Sequence, residues 1–518
     1  MTTEHKPTPG GTGDYVNILS GTSQNVVGIA VAAVATFAAQ IVLSRALGAG
    51  GFGVVTVITQ AAFVASFATR AGMDMAVLRD VAIEIGVGRR DRIRVPVARA
   101  AAIACGVSVV VALSAVAGHT VVQDLFSLGA ARHAWVVEAA ALGLPFLALA
   151  NVWLSATRGL KIMRYTLYVF WAGQPLVWVL LMIVGLPLAQ TTWMGALTYS
   201  LSWIWASAAA WYCWRKESRA WPARPLEPGA LTRLLRYAGP RAPAALFSQL
   251  LFWTDLFVLT RYATEAEVGV YAAALRAGQV LVLFLTSVSL MFSPFVADLH
   301  NRRETQRLDR LFKALTRWTL AATIPIFLVL AVAPEAVLQI FGAEFSGGSV
   351  ALLILLAGQF INVATGSVGF VLIMVGRTGW DLCVYAASLA LNLGLAFWLC
   401  PRYGIEGAAV ANAVTFALSK WARLALVARF VSIRPYDRSY GRLLAPSLLA
   451  LAVMWVVHAA IGGGWVVDLA ATVVSGTVVY VVAYLAVGLT HAERRGAAAL
   501  FERVPVPGMS RVLGRQAR

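Results

Sequence analysis

The sequence predicts an all-α polytopic membrane protein of about fourteen transmembrane helices. They are expected as two six-helix lobes with parallel pseudo-two-fold symmetry, followed by two C-terminal helices. Three observations predict this: apolar runs of spanning length, an alternation of basic and Lys/Arg-poor connections, and a short motif that occurs once in each half. Of 518 residues, 59% are hydrophobic and only 13% charged, with a mean hydropathy of +0.75. A soluble domain of this size needs far more charge on its surface. The apolar residues also cluster in runs near the roughly 20 residues that a helix needs to cross a bilayer.

Taken in order, the spans are expected at 22–47, 52–72, 95–118, 134–157, 165–186, 192–214 and 236–260. They continue at 268–297, 318–340, 347–376, 380–400, 404–430, 443–461 and 464–489. Pro145, Pro175, Pro294, Pro325 and Gly366 fall inside them, which spanning helices tolerate better than soluble ones. The connections alternate. One set carries Arg79, Arg89, Arg90, Arg92 and Arg94, then Arg158, Lys161 and Arg164, and so on to Arg494 and Arg495 in the tail. The other set holds only isolated Arg45, Arg132, Arg261 and Arg402, with acids such as Asp124, Glu265, Glu267, Glu335, Glu344 and Glu406. The positive-inside rule puts the first set and both termini in the cytoplasm.

The repeated motif runs from Leu43 to Val54 and returns from Leu259 to Val270. In both copies a Leu and a Ser or Thr precede an Arg, and a Gly-Val follows at the same spacing. A unit repeated six spans apart on one side of the membrane marks two lobes of parallel topology, as transporters have. The expected organisation is a cytoplasmic segment 1–21, an N-lobe 22–214, a cytoplasmic linker 215–235, a C-lobe 236–430, two further spans within 431–489, and a basic cytoplasmic tail 490–518. The linker is rich in Pro and Arg, from Trp221-Pro222-Ala223-Arg224-Pro225 to Pro228-Gly229.

Several function classes fall away at this stage. A net charge of +18 would suggest nucleic acid in a soluble chain, but here the basic residues sit in topology-setting clusters. Cys105, Cys213, Cys383 and Cys400 are scattered without metal-ligand spacing, and the six histidines do not cluster, so no metal and no cofactor is expected. The first residues lack the basic start and short apolar core of a secretory signal, so the first run is expected to remain as a span. No G-x-x-x-x-G-K-[ST] loop is present, which argues against direct ATP drive.

Arg45-Ala46-Leu47-Gly48 with Phe52-Gly53, and Gly72-Met73-Asp74 leading to Arg79, recur in a recognisable order. They are followed by Asp255, Val268-Gly269-Val270-Tyr271 with Ala274 and Arg276, Phe341-Gly342 with Phe345, Leu352 to Gly358, Gly376-Arg377, and Tyr403-Gly404-Ile405 with Gly407-Ala408-Ala409. Over nearly the whole chain this order resembles the polysaccharide transport family of the multidrug/oligosaccharidyl-lipid/polysaccharide exporter superfamily, the O-antigen and exopolysaccharide lipid flippases. The resemblance implies a two-lobed, non-enzymatic translocase of the cell inner membrane. Its substrate would be undecaprenyl-diphosphate-linked oligosaccharide, moved from the cytoplasmic to the outer leaflet for cell-surface polysaccharide biosynthesis. Membrane lipids, the polymerase and glycosyltransferases of the same pathway, and a coupling H+ or Na+ are the partners it implies. Fold alone licenses no substrate.

Moving such a lipid calls for positive charge facing its diphosphate, and guanidinium donates paired hydrogen bonds to phosphate oxygens. Arg276, Arg79 and Arg241 are the expected diphosphate or cavity residues. Asp255 lies deep in an apolar run, where charge is costly and usually faces a cavity or a partner. By helical rise it lies about 9 Å below Arg261, and Arg276 about 12 Å below Val268, so the two can meet. Two readings stand: a cation or proton site beside a cavity Arg, or a static ion pair. Arg70, Asp74 and Arg79 stand at the cytoplasmic end of the second span and Arg241 at the cytoplasmic entrance of the seventh, as diphosphate capture or as headgroup anchors.

Arg45 and Arg261 lie outside, either as an outer gate or as loop structure, bonding carbonyls that end a helix while Gly48, Gly50, Gly51 and Gly53 allow a tight reversal. Gln24, Asn25, Asn151, Asn362, Asn392 and Asn412 suit sugar hydroxyls or helix–helix bonds. Most of the seventeen Trp are expected in interfacial belts. A cation-coupled drug or metabolite exporter of the same superfamily is the first alternative. A membrane polymerase or glycosyltransferase is the second, disfavoured because no substantial outside loop exists to hold catalytic residues. A passive scaffold fits poorly with a buried Asp and Arg.

Overall fold

A computed structural model describes residues 12–129, 133–222, 224–225, 229–461 and 463–489; the basic tail expected over 490–518 lies outside the described residues, and the N-terminal segment is described from Thr12. No strand occurs among the described residues. The first half contains α1 (Thr12–Thr69), α2 (Met73–Gly86), α3 (Arg94–Ala117), α4 (His119–Leu125) and α5 (Val136–Gly159). A π-helical stretch, Thr166–Gly173, then leads into α6 (Gln174–Gly185), followed by α7 (Thr192–Ser218). The second half contains α8 (Ala230–Leu259), α9 (Glu265–Gln279), α10 (Val282–Asn301), α11 (Thr305–Val332), α12 (Pro334–Gln339), α13 (Ser349–Ala364), α14 (Val368–Met374), α15 (Thr378–Val431), α16 (Leu444–Ala460) and α17 (Trp465–Ala483).

Helix lies under each of the fourteen apolar runs. Among the described residues, nine helices are long and apolar enough to cross a membrane, or ten if the bent pair α9–α10 forms one span. Two of these helices contain two of the expected runs each. An unbroken α1 of 58 residues would reach about 87 Å at 1.5 Å per residue, far beyond a bilayer. It is broken at Gly48, with φ 67° and ψ −179°, and α15 is broken likewise at Gly404, with φ 53° and ψ −127°. These are conformations that favour glycine. This is a multi-pass helical membrane protein.

The two motif copies are built differently. In the first, a single non-helical residue, Gly48, replaces the expected loop, and Gly50, Gly51 and Gly53 are helical. The second is a true loop between α8 and α9, closed by a capping box. The Thr264 hydroxyl accepts from the Glu267 amide, and the Glu267 carboxylate accepts from the Thr264 amide at 2.8 Å. Two backbone donors at the start of α9 are thereby satisfied.

Small residues set the helix contacts, as expected where lipid supplies no hydrophobic drive between helices. A Cβ on Gly143 of α5 would stand 2.7 Å from the Ser200 hydroxyl of α7, and one on Gly358 of α13 the same distance from the Ala413 backbone of α15. Helices α2, α3, α5, α6 and α7 pack mainly within the first half; α8 packs on α15, and α9 and α11 pack on α13. Helix α1 runs along α8, α9 and α10 and forms the seam between the halves.

Candidate functional site at the seam between the halves

On the face that carries Gly48, the halves are tied by side-chain bonds whose partners are largely backbone. Arg45 donates through Nη2 to the Gln339 carbonyl at 2.7 Å and through Nε to that of Ile340 at 3.0 Å. Ser44 donates to the Phe341 carbonyl at 2.9 Å. The Glu344 carboxylate accepts from the Ala49 amide at 2.7 Å, so it caps the second arm of α1 from the opposite half, where a carboxylate is favoured by the helix dipole. His133 bridges Glu265 of α9 through Nε2 at 2.8 Å and Thr192 of α7 through Nδ1 at 3.0 Å. Arg261 donates to the Asp124 carbonyl at 3.3 Å.

Backbones meet closely here. A Cβ on Gly269 would stand 1.9 Å from the Ala49 carbonyl oxygen, and one on Gly53 2.5 Å from that of Glu265. Arg45 does bond carbonyls at a helix end, but across the seam, because the helical course of α1 past Gly48 leaves no nearby loop of its own to bond.

Inside the second half, Asp255 is fully buried. It accepts a hydrogen bond from the Tyr271 hydroxyl of α9 and one from Asn412 Nδ2 of α15 at 3.2 Å, while its Oδ1 has no hydrogen-bond partner. The expected meeting of Asp255 with Arg276 does not occur. Tyr271, which faces Asp255, and Arg276 are five positions apart on α9. That spacing turns them about 140° from one another around a 3.6-residue helix. Depth matched; phase did not.

Arg276 instead points to the seam. Its guanidinium lies 4.7 Å from the Trp253 ring centre, a cation–π distance, and Nη1 reaches Gln279 Oε1 at 3.4 Å. Tyr199 of α7, in the opposite half, is within its electrostatic reach. Tyr199 belongs to an aromatic cluster with Trp178 at 5.1 Å and Trp203 at 6.2 Å. Arg276 Nε is buried without a hydrogen-bond partner, and no carboxylate pairs with the guanidinium among the described residues. Immediately beyond, α9 and α10 meet at a 47° bend.

At the opposite end of the seam, buried Arg70 pairs with Asp74 at 3.1 Å and stacks on Phe67 at 3.9 Å. Arg158 of α5 lies within electrostatic reach of both and donates to Ser155 Oγ at 2.5 Å. Of the two guanidiniums, only Arg70 bonds the carboxylate. Arg70 Nη2 and Arg158 Nε are buried without partners. A Cβ on Gly72 would stand 2.5 Å from the Ala238 carbonyl oxygen of α8, so the halves also touch here. Arg79 is exposed on α2. The side chain of Arg241, like those of Gln24 and Asn25, lies outside the described residues.

The remaining expected polar residues divide. Asn151 bonds the Leu147 carbonyl of its own helix at 2.9 Å, and Asn362 bonds Gln359 at 2.9 Å. Asn392 is buried with both amide atoms unpartnered. Trp178, Trp203, Trp214 and Trp253 are core residues rather than belt residues, whereas Trp135, Trp171, Trp205 and Trp211 are exposed. Sequence reasoning missed His133, Glu344 as a cap, and Tyr271 as the Asp255 partner. Tyr271 at least stood inside a motif; His133 carried no signal.

Two halves joined along α1, with a cation at the seam that has no carboxylate partner among the described residues, define the class: a multi-pass membrane protein with a transporter fold. The same fold occurs in an inward-facing multidrug resistance MATE family transporter of the MOP superfamily, at a TM-score of 0.65 and 12% identity over 79% of this chain and 98% of that one. It occurs also in the lipid II flippase MurJ, at 0.59 and 12% over 94% and 99%. The chain belongs to the family described as polysaccharide biosynthesis protein, whose model matches residues 18–300; a second model, MatE, matches residues 240–398. It is 25% identical over 248 residues to the probable low-salt glycan biosynthesis flippase Agl15 of Haloferax volcanii, covering 48% of this chain and 52% of that protein. The probable flippase AglR of the same organism is 25% identical over 174 residues, 32% and 36% of the two chains. The chain thus spans about half the length of the first of these curated relatives and about a third of the second.

Proposed function

We propose that this protein is a flippase. It moves undecaprenyl-diphosphate-linked oligosaccharide from the cytoplasmic to the outer leaflet of the inner membrane by alternating access of an N-lobe and a C-lobe. The six-plus-six-plus-two plan, with both termini cytoplasmic, makes the Gly48 face the outer one. Arg276 is the single observation that carries the reading: a guanidinium at the seam, set among aromatic rings, with no carboxylate to neutralise it among the described residues. Such a group is costly unless an anion meets it there. The diphosphate is that anion, and neighbouring rings such as Tyr199 can stack on a sugar. Arg70, Arg79, Arg158 and Arg241 concentrate positive charge at the cytoplasmic mouth, where the lipid headgroup enters. Family membership and the two named flippase relatives support the same substrate class.

Asp255 is assigned to coupling. Its unpartnered Oδ1, with Tyr271 and Asn412 on the other oxygen, suits a proton or a small cation. The same group favours the second reading, a cation-coupled exporter, which the match of the second family model to residues 240–398 also supports.

The test uses the full chain in proteoliposomes with a fluorescent lipid-diphosphate oligosaccharide on one leaflet. Arg276→Ala is expected to abolish translocation and Arg276→Lys to retain part of it, with thermal unfolding of both near wild type. Wild-type transport of an organic cation with no translocation of the lipid would select the exporter. Arg276→Ala with wild-type lipid translocation would overturn the role of the residue.

A further inference from the structure

On the Gly48 face, a groove of about 460 Å³ opens between the halves. Leu125 and Phe126 of the first half form one wall; Phe257 and Val258 of α8, with Leu393 and Phe397 of α15, form the others. Its lining is apolar apart from Thr254 and Arg261. Leu393 and Phe397 are exposed, on an arm of α15 that lies within the expected membrane band. Phe126 meets Phe257 at 5.4 Å between ring centres, so the groove exists only while the halves are together on this face.

Arg261 stands at its mouth and is an anomaly twice over. It lies on the face that is otherwise poor in Lys and Arg, and the one described bond of its side chain is a long one, 3.3 Å to a main-chain carbonyl. The carboxylates nearest in sequence are engaged elsewhere: Glu265 with His133 at 2.8 Å, and Glu267 in the capping box of α9. A guanidinium with no ion pair among the described residues, above an apolar slot, is complementary to one kind of molecule. A glycan in the slot would leave its hydroxyls unpaired at a cost of several kcal/mol, whereas a hydrocarbon chain would not.

We propose that this groove binds an anionic phospholipid of the leaflet on the Gly48 face. An acyl chain lies against Leu393 and Phe397, and the headgroup phosphodiester lies on Arg261. Because Leu125 and Phe126 come from the opposite half, a bound lipid bridges the seam and holds this face closed. The site is separate from Arg276 and does not depend on which substrate is moved.

Native mass spectrometry of the detergent-released full chain tests it, with phosphatidylglycerol and phosphatidylcholine offered at equal concentration. Wild type is expected to retain phosphatidylglycerol about fivefold over phosphatidylcholine, the ratio expected for one Lys or Arg contact with an anionic lipid. Arg261→Ala is expected to lose that preference, and Arg261→Lys to keep most of it. Leu393→Trp, which fills the slot, is expected to reduce retention of both lipids, with melting near wild type confirming the fold. Equal retention of the two lipids by wild type, or unchanged preference in Arg261→Ala, would overturn the proposal. So would displacement of the phospholipid by inorganic phosphate alone, because the slot would then contribute nothing.

Discussion

Gly269 offers the sharpest test of how the Gly48 face is closed. Replacing it by Ala puts a methyl group 1.9 Å from the Ala49 carbonyl oxygen. Carbon–oxygen contacts of this kind settle at about 3.3–3.6 Å, so the helices must part by about 1.5 Å. The atoms the methyl meets, the Ala49 carbonyl and the Gly53 amide nitrogen, all belong to backbone, and no side chain can swing aside to absorb the strain. A separation of that size lengthens the 2.7 Å bond from Glu344 to the Ala49 amide beyond hydrogen-bonding range. Overpacking of this sort costs about 1–3 kcal/mol, which shifts a closed-to-open ratio about 5- to 150-fold. The assay is the distance distribution between spin labels at Leu188 and Ala343, one on each half, in a cysteine-free background. Gly269→Ala is expected to move population to longer distances. Gly278→Ala is the control: it lies on the same helix, its added methyl finds Leu355 at an ordinary 3.9 Å, and no change is expected. A Gly269→Ala distribution that overlays wild type would refute the argument.

Three further outcomes follow from the same geometry. Glu344→Ala removes the cap on the second arm of α1 and is expected to lengthen the same label distance, whereas Glu344→Gln keeps an acceptor and should stay near wild type. Arg423 and Asp381 form a buried ion pair within α15, at 2.8 Å with both side chains almost fully enclosed. Asp381→Ala leaves Arg423 charged and unpaired, so a loss of about 3–5 kcal/mol is expected, read as a fall in thermal midpoint. The double replacement Asp381→Leu with Arg423→Met removes both charges and should recover most of that loss; a double variant as unstable as the single one would refute the pairing argument.

What could be read in advance follows from the range of each physical signal. Apolar runs and alternating basic connections are local, and helix lies under every run that hydropathy marked. The Thr264–Glu267 capping box is local too, readable from residues three apart. Arg276 and Asp255 were singled out because a charge inside an apolar run is conspicuous wherever it points, but their mutual orientation depended on helical phase, which depth alone does not fix. His133 and Glu265 are separated by 132 positions, and neither residue's neighbours hint at the other. Ser44, Glu344 and the particular carbonyls that Arg45 bonds escaped for another reason: the partners are main-chain carbonyls and an amide, groups that nearly every residue carries and that leave no mark in a sequence.

That choice of partner bears on how the two halves can part. A main-chain carbonyl or amide released at an aqueous face is taken up by water, so each such bond contributes only about 0.5–3 kcal/mol net, the upper part of that range where one partner is charged. The bonds at Arg45, Ser44, Glu344 and Arg261 are of this exchangeable kind. Arg423–Asp381 lies wholly inside one half, where breaking it would strand a buried charge. Weak, replaceable bonds between the halves and a strong, irreplaceable pair within one of them together allow a face to open without unfolding either side. A seam held instead by pairs like Arg423–Asp381 would stay shut. The close approach of Gly53 and Gly269 supplies closure through contact area, which is regained in full each time the halves return.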